Sequence, residues 1–272
     1  MPLSAALPLL LVGAGKMGGA MLDGWLDCGL DPAGCILLDP NSSAATEAWV
    51  ARGLRHILSA GAVTTTPSVA VLAVKPQMMG EVMTEIAPVL GPSTLVVSVA
   101  AGTTLARLEA GLGPKAIVRV MPNTPAQVGR GMSVLVANGR VGEEARALAG
   151  DLMTAVGETA WIDDETLMDA VTGVSGSGPA YVFLLAEALA EAGRAAGLPA
   201  DLADTLARQT VAGAGELLRL SPLDPATLRR NVTSPNGTTH AALEVLMAEG
   251  ALPDLMTRAV AAATRRSREL AG

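Results

Sequence analysis

Residues 9–26, LLLVGAGKMGGAMLDGWL, decide the fold of this chain. A short apolar run leads into a glycine-rich turn at residues 13–18, and a helical pattern follows to about Leu26. A strand, a G-x-G-x-x-G turn and a helix in this order are typical of dinucleotide-binding units, because the glycines let a pyrophosphate approach the helix N-terminus. The alternative is a glycine turn in an unrelated α/β unit. The predicted cofactor-binding residues of this turn are Gly13, Gly15, Lys16, Met17 and Gly18.

Asp39 closes the next apolar run, Cys35 to Leu38, and lies 21 residues beyond Gly18. An acidic side chain at this distance meets the adenosine ribose hydroxyls in NAD sites, and it would repel the 2'-phosphate of NADP. The polar segment 41–43 could donate hydrogen bonds to such a phosphate or cap the next helix, and capping is the commoner role. We predict that Asp39 contacts the cofactor, with the choice between NADH and NADPH left open.

Strand and helix patterns continue to alternate along the N-terminal part of the chain. This alternation favours parallel strands joined by right-handed crossovers, which gives an α/β fold with a doubly wound, Rossmann-type parallel sheet. The predicted strands are 69–74, 94–99, 116–120 and an added strand at 131–136, and the predicted helices begin near Gln77, after Thr103 and at Gly142, the last of these running to Met153.

Three turns fall at the carboxyl ends of these strands, where ligands of doubly wound sheets bind. Two of them, at 100–102 and 121–125, carry small residues that suit a backbone pressed against a flat nicotinamide ring. Lys75 could act in catalysis, although a lysine that closes a strand is more often a solvated strand end. The predicted cofactor-binding residues of the three turns are Ala73, Val74, Lys75, Pro76, Ala100, Ala101 and Asn123.

The most apolar helix pattern starts near Pro179, after the Ser175–Gly178 turn, whose hydroxyls suit helix capping. Its polar stripe consists only of Glu187, Glu191 and Arg194, so the helix needs neighbours on most of its sides. Fewer than 20 apolar residues run without a charge. This length favours a buried core or a subunit interface over a membrane span.

A hydroxyl-rich loop, Asn231 to Thr239, leads into a helix that we predict to begin near His240. Backbone N–H groups at a helix N-terminus suit a carboxylate ligand without any basic side chain. From capping chemistry alone, an N-cap with a Pro-Asn-Gly turn is the better explanation. His240 is predicted to lie on the helix face, and His56 lies far from any motif.

The whole chain has 272 residues, which favours two domains, and we place them at 1–162 and 163–272, the second all-helical. The net charge is −7 and the lysines stand only at 16, 75 and 115, so no basic face for nucleic acid is expected. Cys28 and Cys35 lack metal-ligand spacing and are too few for a disulfide framework. No basic residue precedes the first apolar run, so we predict a first strand rather than a signal peptide, and hence a cytoplasmic protein. From the spacing of the cysteines we predict no metal site.

These residues give the chain a family likeness: it resembles pyrroline-5-carboxylate reductase, the last enzyme of proline biosynthesis. The resemblance spans nearly the whole chain, and its most specific segments are Ser175–Tyr181 (SGSGPAY) and Val232–Thr239 (VTSPNGTT). The other matching segments are Gly13–Gly18, Ala73–Pro76, Ser98–Gly102 and Met121–Pro125.

The resemblance implies an NAD(P)H-binding Rossmann domain followed by a helical domain that interlocks with its twin in a homodimer, sometimes within larger rings of dimers. It also implies that cofactor and substrate loop can come from different subunits. Asn236 stands where many members have Gly, and Asp39 where many have a small hydroxyl residue, which puts the usual NADPH preference in doubt. By resemblance, Val232, Ser234, Gly237 and Thr238 bind the substrate, and the Thr239 hydroxyl contacts the ring nitrogen.

The implied chemistry agrees with the absence of an obvious acid. A cyclic imine can already carry its proton as an iminium, so the enzyme must mainly align the hydride donor with the imine carbon. A 3-hydroxyacid dehydrogenase would need a lysine in the helical domain, whereas all three lysines precede residue 116. A reductase of another cyclic imine and a nucleotide sensor without turnover remain as alternatives.

Overall fold

The computed structural model describes residues 3–271, so the first two residues of the predicted lead-in to the first strand lie outside it. The described chain contains one eight-stranded sheet in the order β3-β2-β1-β4-β5-β6-β7-β8. Six strands in the order 3-2-1-4-5-6 are parallel, as in dinucleotide-binding folds. The strands are β1 Leu9–Val12, β2 Cys35–Leu38, β3 Arg55–Ile57, β4 Val69–Leu72, β5 Leu95–Ser98, β6 Ala116–Met121, β7 Gly131–Ala137 and β8 Gly157–Trp161.

Both faces of the sheet are buried. Leu9 and Leu11 of β1 belong to one cluster of buried apolar side chains, whereas Leu10 and Val12 belong to a second cluster. Because successive side chains of a strand point to opposite faces, this division places one cluster on each side of the sheet. The helices that cover the faces are α1 Lys16–Asp27, α2 Ala44–Ala51, α3 Met79–Ile86, α4 Leu105–Leu112 and α5 Glu143–Thr154.

The predicted α/β fold is confirmed, with differences at the edges of the sheet. Strands β1 and β2 have the predicted bounds, and β7 pairs antiparallel to β6. Strands β3 and β8 were not predicted, because β3 has only three residues and β8 is half-buried with the mixed sequence GETAW. The helix ending at Thr154 is therefore followed by another strand, which pairs parallel to β7.

The helical part follows the sheet. Its first elements are a short helix, α6 Met168–Val171, and a π-helical turn, Thr172–Gly176, and the apolar helix begins at Gly178. Ser177 has helical backbone angles and makes no capping hydrogen bond, so the predicted hydroxyl cap is absent because the backbone is already helical there. The remaining helices are α7 Gly178–Ala195, α8 Ala200–Leu220, α9 Pro225–Asn231, α10 Thr238–Leu246 and α11 Leu252–Ala271.

The chain divides into two compact units. The first contains the sheet, continues to Gly176 and includes the end of α11 from Ala263; the second runs from Ser177 to Ala262. The end of α11 is fixed in the first unit by Ser267, whose hydroxyl donates to Asp169 at 2.7 Å. The sequence-based division at 162/163 followed the loss of strand pattern and remains a prediction. No described helix combines the length and the apolar composition that crossing a membrane requires.

Candidate dinucleotide and substrate sites

The glycine turn after β1 packs too closely on its surroundings for side chains at two positions. Gly13 has a φ of +93°, and a Cβ there would lie 2.9 Å from the Ala73 carbonyl oxygen. A Cβ on Gly18 would overlap the Gly13 carbonyl oxygen. These two glycines therefore fix the turn against β4 and let α1 start directly beside it.

Gly15 differs from these two glycines. Its φ of −65° suits any residue, and no atom lies within 4 Å of the position that its Cβ would occupy. Gly15 is also the N-cap of α1, where no side chain caps the free N–H groups of the first helical turn, which includes Lys16 and Met17. An uncapped helix start under open space is suited to a pyrophosphate.

Asp39 binds the glycine turn. One carboxylate oxygen accepts a hydrogen bond from the Ala14 N–H at 2.8 Å, and the other accepts from the Asn41 N–H at 2.9 Å. These bonds hold the carboxylate between the ends of β1 and β2. The adjacent Ser43 hydroxyl accepts from the Thr46 N–H at 3.2 Å, so Ser43 caps α2, the commoner of its two predicted roles.

A cavity of about 340 Å³ lies beside this carboxylate, at the carboxyl ends of β1, β2 and β4. Its volume is within the range of small-molecule sites. The structure thus brings together six of the predicted cofactor residues from three separate segments. They are Gly13, Gly15, Asp39, Ala73, Val74 and Lys75.

The other predicted cofactor residues lie outside this cavity's lining. Lys16 lines a more open hollow on the far side of the turn, beside Trp49 and Asp23. Ala100 is buried, whereas Ala101 is exposed. Pro76 follows the lining residue Lys75, whereas Met17 and Gly18 lie in the first turn of α1. The Asn123 amide is hydrogen-bonded within the protein.

Two acidic residues of this cavity were missed from the sequence. Glu81 and Glu85 stand four residues apart on α3 and both line the cavity. The residues of α3 that pack into the core include Met79, Val82 and Met83, so Glu81 and Glu85 face outward. The helical spacing of these apolar residues is the signal in the sequence from which the outward position of the two glutamates could have been predicted.

His56 is also nearer the site than its position in the sequence suggested. It lies opposite Leu37 in the pairing of β3 with β2, and its Nε2 is 2.8 Å from the Asp39 carbonyl oxygen. The prediction that His56 lies far from any motif is wrong, because it depended on overlooking β3.

The predicted substrate loop precedes α10. This helix begins at Thr238, two residues before the predicted start, so Thr238 and Thr239 lie in its first turn. The N-cap, Gly237, supplies no side-chain acceptor, and its own N–H donates to the Ser234 carbonyl at 3.1 Å. The free N–H groups of the first turn are suited to a carboxylate. Val232 is the exposed C-cap of the preceding helix.

Two neighbouring residues set the shape of this loop. Asn236 has a φ of 57°, the left-handed conformation that Gly adopts freely and Asn tolerates. Asn236 therefore adopts a backbone conformation that glycine at this position would also allow. A Cβ on Gly237 would overlap the Ser234 hydroxyl oxygen, so only glycine lets Ser234 keep its place.

The described residues fit a dinucleotide cofactor and offer no grouping for a metal. The fit rests on the open space above Gly15 and the cavity beside Asp39. Among residues 3–271, no three His, Cys, Asp or Glu side chains are grouped as metal ligands. Burial, with the nearby charge of Asp31, raises the pKa of the Cys35 thiol to about 12, so this cysteine is not a nucleophile at neutral pH.

Two family models match the chain. Residues 165–270 match one described as pyrroline-5-carboxylate reductase dimerisation, and residues 9–102 match one described as NADP oxidoreductase, coenzyme F420-dependent. Among curated relatives, pyrroline-5-carboxylate reductase of Pseudomonas aeruginosa is 43% identical over 264 residues, which is 97% of this chain and 96% of the relative. That of Pisum sativum is 42% identical, covering 98% and 97% of the two chains.

Solved structures give the same result. A pyrroline-5-carboxylate reductase from Coxiella burnetii superposes with a TM-score of 0.91 at 35% identity, covering 97% of this chain and 98% of that one. Pyrroline carboxylate reductase from Plasmodium falciparum, solved with NADP bound, superposes with a TM-score of 0.83 at 30% identity and covers 98% of both chains.

Proposed function

Because the chain belongs to the pyrroline-5-carboxylate reductase family of NAD(P)H-dependent oxidoreductases, we propose that it reduces 1-pyrroline-5-carboxylate to L-proline, the last step of proline biosynthesis. The observations that carry the proposal are the glycine-rich helix start at Gly15, which lies under open space and lines the cavity beside Asp39, and the helix start at Gly237 that follows the hydroxyl-rich loop. The first suits a pyrophosphate and the second a carboxylate.

When bound, a reduced nicotinamide would supply a hydride to the imine carbon; the electron pair of the C=N bond would pass to the ring nitrogen, which would keep the proton of the iminium in the amine product. The residues of this chain bind and orient. The first-turn N–H groups of α10, with Ser234 and Thr238, hold the substrate carboxylate. The Thr239 hydroxyl, in the first turn of α10, donates to or accepts from the ring nitrogen.

We also propose a homodimer assembled through the segment 163–272. Apolar side chains along one helix support it, since Phe183 and Leu184 of α7 are 68% and 62% exposed in the single chain. Patches of this kind mark protein interfaces. The residues buried where α7 packs on α8 are small, namely Ala190, Ala203 and Ala207. The larger exposed side chains of α7 are therefore available to form a different interface.

A cytoplasmic location belongs to the same proposal. Cys28 and Cys35 are both free, and two unpaired thiols suit a reducing compartment.

The test is the oxidation of NADH and of NADPH by the purified protein with 1-pyrroline-5-carboxylate, followed as loss of absorbance of the reduced nicotinamide. A six-membered cyclic imine carboxylate serves as the competing substrate, because one methylene is worth only about 1–3 kcal/mol of discrimination. Imine-dependent oxidation that is faster with the five-membered ring is expected. Binding of nucleotide by folded dimer without oxidation of either imine would contradict the proposal and favour a nucleotide sensor.

A further inference from the structure

The cavity beside Asp39 carries more negative than positive charge. Its lining contains three carboxylates, Asp39, Glu81 and Glu85, and among the described residues that line it Lys75 is the single cation. The formal balance is therefore −3 + 1 = −2. Glu81 and Glu85 approach the cavity from α3, whereas Asp39 approaches it from the end of β2, so the carboxylates stand on two of its sides.

Two of these carboxylates are held in place by backbone donors. Asp39 accepts from the Ala14 and Asn41 N–H groups, at 2.8 and 2.9 Å. Glu85 accepts from the Ala60 N–H at 2.7 Å. Neither carboxylate can turn away from the cavity without losing a hydrogen bond, so both negative charges stay fixed beside a bound ligand.

Two groups that could compensate a phosphate, the Ser43 hydroxyl and the Arg55 guanidinium, are bonded elsewhere. The Ser43 hydroxyl caps α2, and it also lies 3.0 Å from the Thr46 hydroxyl oxygen. The Arg55 guanidinium on β3 donates to the Thr64 hydroxyl at 3.0 Å and to the Ala62 carbonyl at 2.5 Å.

We propose that this site selects NADH over NADPH, and that Glu81 and Glu85 determine the selection together with Asp39. A carboxylate at the end of the second strand accepts hydrogen bonds from the ribose 2'-hydroxyl of NADH. A 2'-phosphate carries between one and two negative charges near neutral pH, and it would enter a cavity whose fixed charges have the same sign. The proposal rests on the dinucleotide site of the proposed function, and it does not depend on the substrate.

Both nucleotides share their pyrophosphate and nicotinamide contacts, so the selection is a preference, expressed as a ratio of dissociation constants. NADPH remains a usable cofactor at higher concentration. We expect the wild-type protein to bind NADH at least about tenfold more tightly than NADPH. A tenfold ratio of dissociation constants is the size of effect expected from the repulsion between one pair of partly screened like charges.

The experiment measures equilibrium binding without any imine. Fluorescence of the bound reduced nicotinamide gives the dissociation constants of NADH and NADPH, and competition with AMP and adenosine 2',5'-bisphosphate isolates the 2'-phosphate. The test variant is Glu81→Gln with Glu85→Gln, in which the glutamine oxygen at 85 can still accept from the Ala60 N–H. Glu144→Gln is the matched control, because Glu144 is an exposed residue of α5 outside the cavity lining.

In the double variant the preference for NADH should fall at least about fivefold, mainly through tighter NADPH binding, while the control keeps the wild-type ratio. Raising the salt concentration should shrink the wild-type preference, because the repulsion is electrostatic. Equal or tighter wild-type binding of NADPH, or an unchanged ratio in the double variant, overturns the inference. If neither nucleotide binds, the dinucleotide site itself is wrong; if they bind as expected and no imine is reduced, only the proposed reaction fails.

Discussion

The Asn123 side chain joins the end of β6 to the π-helical turn through Ser175. Its amide nitrogen lies 3.2 Å from the Ser175 carbonyl oxygen and 3.3 Å from the Ser175 hydroxyl oxygen. Its own oxygen accepts from the Met132 N–H at 2.8 Å. The amide is thus occupied on both sides within the protein, which supports a positioning role for a residue that the sequence pattern assigns to cofactor binding.

Asn123→Asp removes both donors to Ser175 and keeps the acceptor for Met132. We expect the free energy of unfolding to fall by about 1–3 kcal/mol, because the part-buried acceptors of Ser175 lose their partner and face a carboxylate. Urea denaturation measures the loss. Ser175→Ala in the same background should cost less than it does alone, and strict additivity of the two losses would argue against the hydroxyl contact.

The glycine turn offers a second prediction, since its glycines are required for different reasons. Gly18→Ala places a methyl group on the Gly13 carbonyl oxygen, so we expect a loss of about 1–3 kcal/mol in thermal or chemical unfolding. Gly15→Ala meets no protein atom within 4 Å and should leave the melting temperature nearly unchanged. Its methyl group fills the open space above α1, so NAD(P)H affinity should drop at least about tenfold.

Gly139→Ala is the control for both variants, because its Cβ also meets no atom within 4 Å and it lies outside the cavity lining. It should match the wild type in stability and in nucleotide affinity. A Gly15→Ala protein that binds nucleotide normally would remove the helix start of α1 from the site.

Strands β1, β2 and β4 of the sheet could be predicted from the sequence because each is a buried run of four apolar residues with a turn at its end. Strands β1 and β2 are examples, and their bounds follow from their composition alone. Strand β3 has one buried residue in three, and β8 is half-buried with the mixed sequence GETAW. Edge strands gain their structure from pairing, which a local pattern does not contain.

The site shows the same limit. The glycine turn and Asp39 can be identified from their spacing in the sequence. The contribution of Glu81 depends instead on how α3 is rotated against the sheet. The approach of His56 to Asp39 depends on the pairing of β3 with β2. These relationships are tertiary, so they follow from the packing of elements rather than from the residues within any one element.

Helix α7 leads to a prediction about assembly. Phe183→Asp places a charge on a side chain that is 68% exposed in the single chain, and the proposed dimer would bury that charge without a partner. We expect dissociation to monomers or lower oligomers at micromolar concentration, measured by analytical ultracentrifugation. Val50→Asp on α2 makes the same change at an exposed apolar residue of the sheet unit and should leave the mass unchanged. A dimer of wild-type affinity in Phe183→Asp would place the interface elsewhere.

Thr239 is expected to act on the substrate only. Thr239→Ala should lower kcat by about tenfold to a hundredfold, the value of one hydrogen bond to a charged group, with NAD(P)H affinity nearly unchanged. Thr239→Ser keeps the hydroxyl and should recover most of the turnover. Thr154→Ala is the control, because the Thr154 hydroxyl bonds to the Gly150 carbonyl of its own helix. Wild-type turnover in Thr239→Ala would remove this hydroxyl from the mechanism.

The loop before α10 allows a matched pair of substitutions at adjacent residues. Asn236→Gly keeps the left-handed backbone, at φ 57°, that both residues can adopt, so we expect KM for the imine within about twofold of wild type. Gly237→Ala adds a methyl group against the Ser234 hydroxyl and lies 3.2 Å from the Ser234 carbonyl oxygen, so Ser234 must move. Because this shift disturbs the groups proposed to hold the carboxylate, KM should rise at least about tenfold while nucleotide affinity is retained. KM is measured by steady-state kinetics, with the imine varied at saturating cofactor, and nucleotide affinity is measured by fluorescence. Equal KM values for the two variants would place the substrate carboxylate away from this helix start.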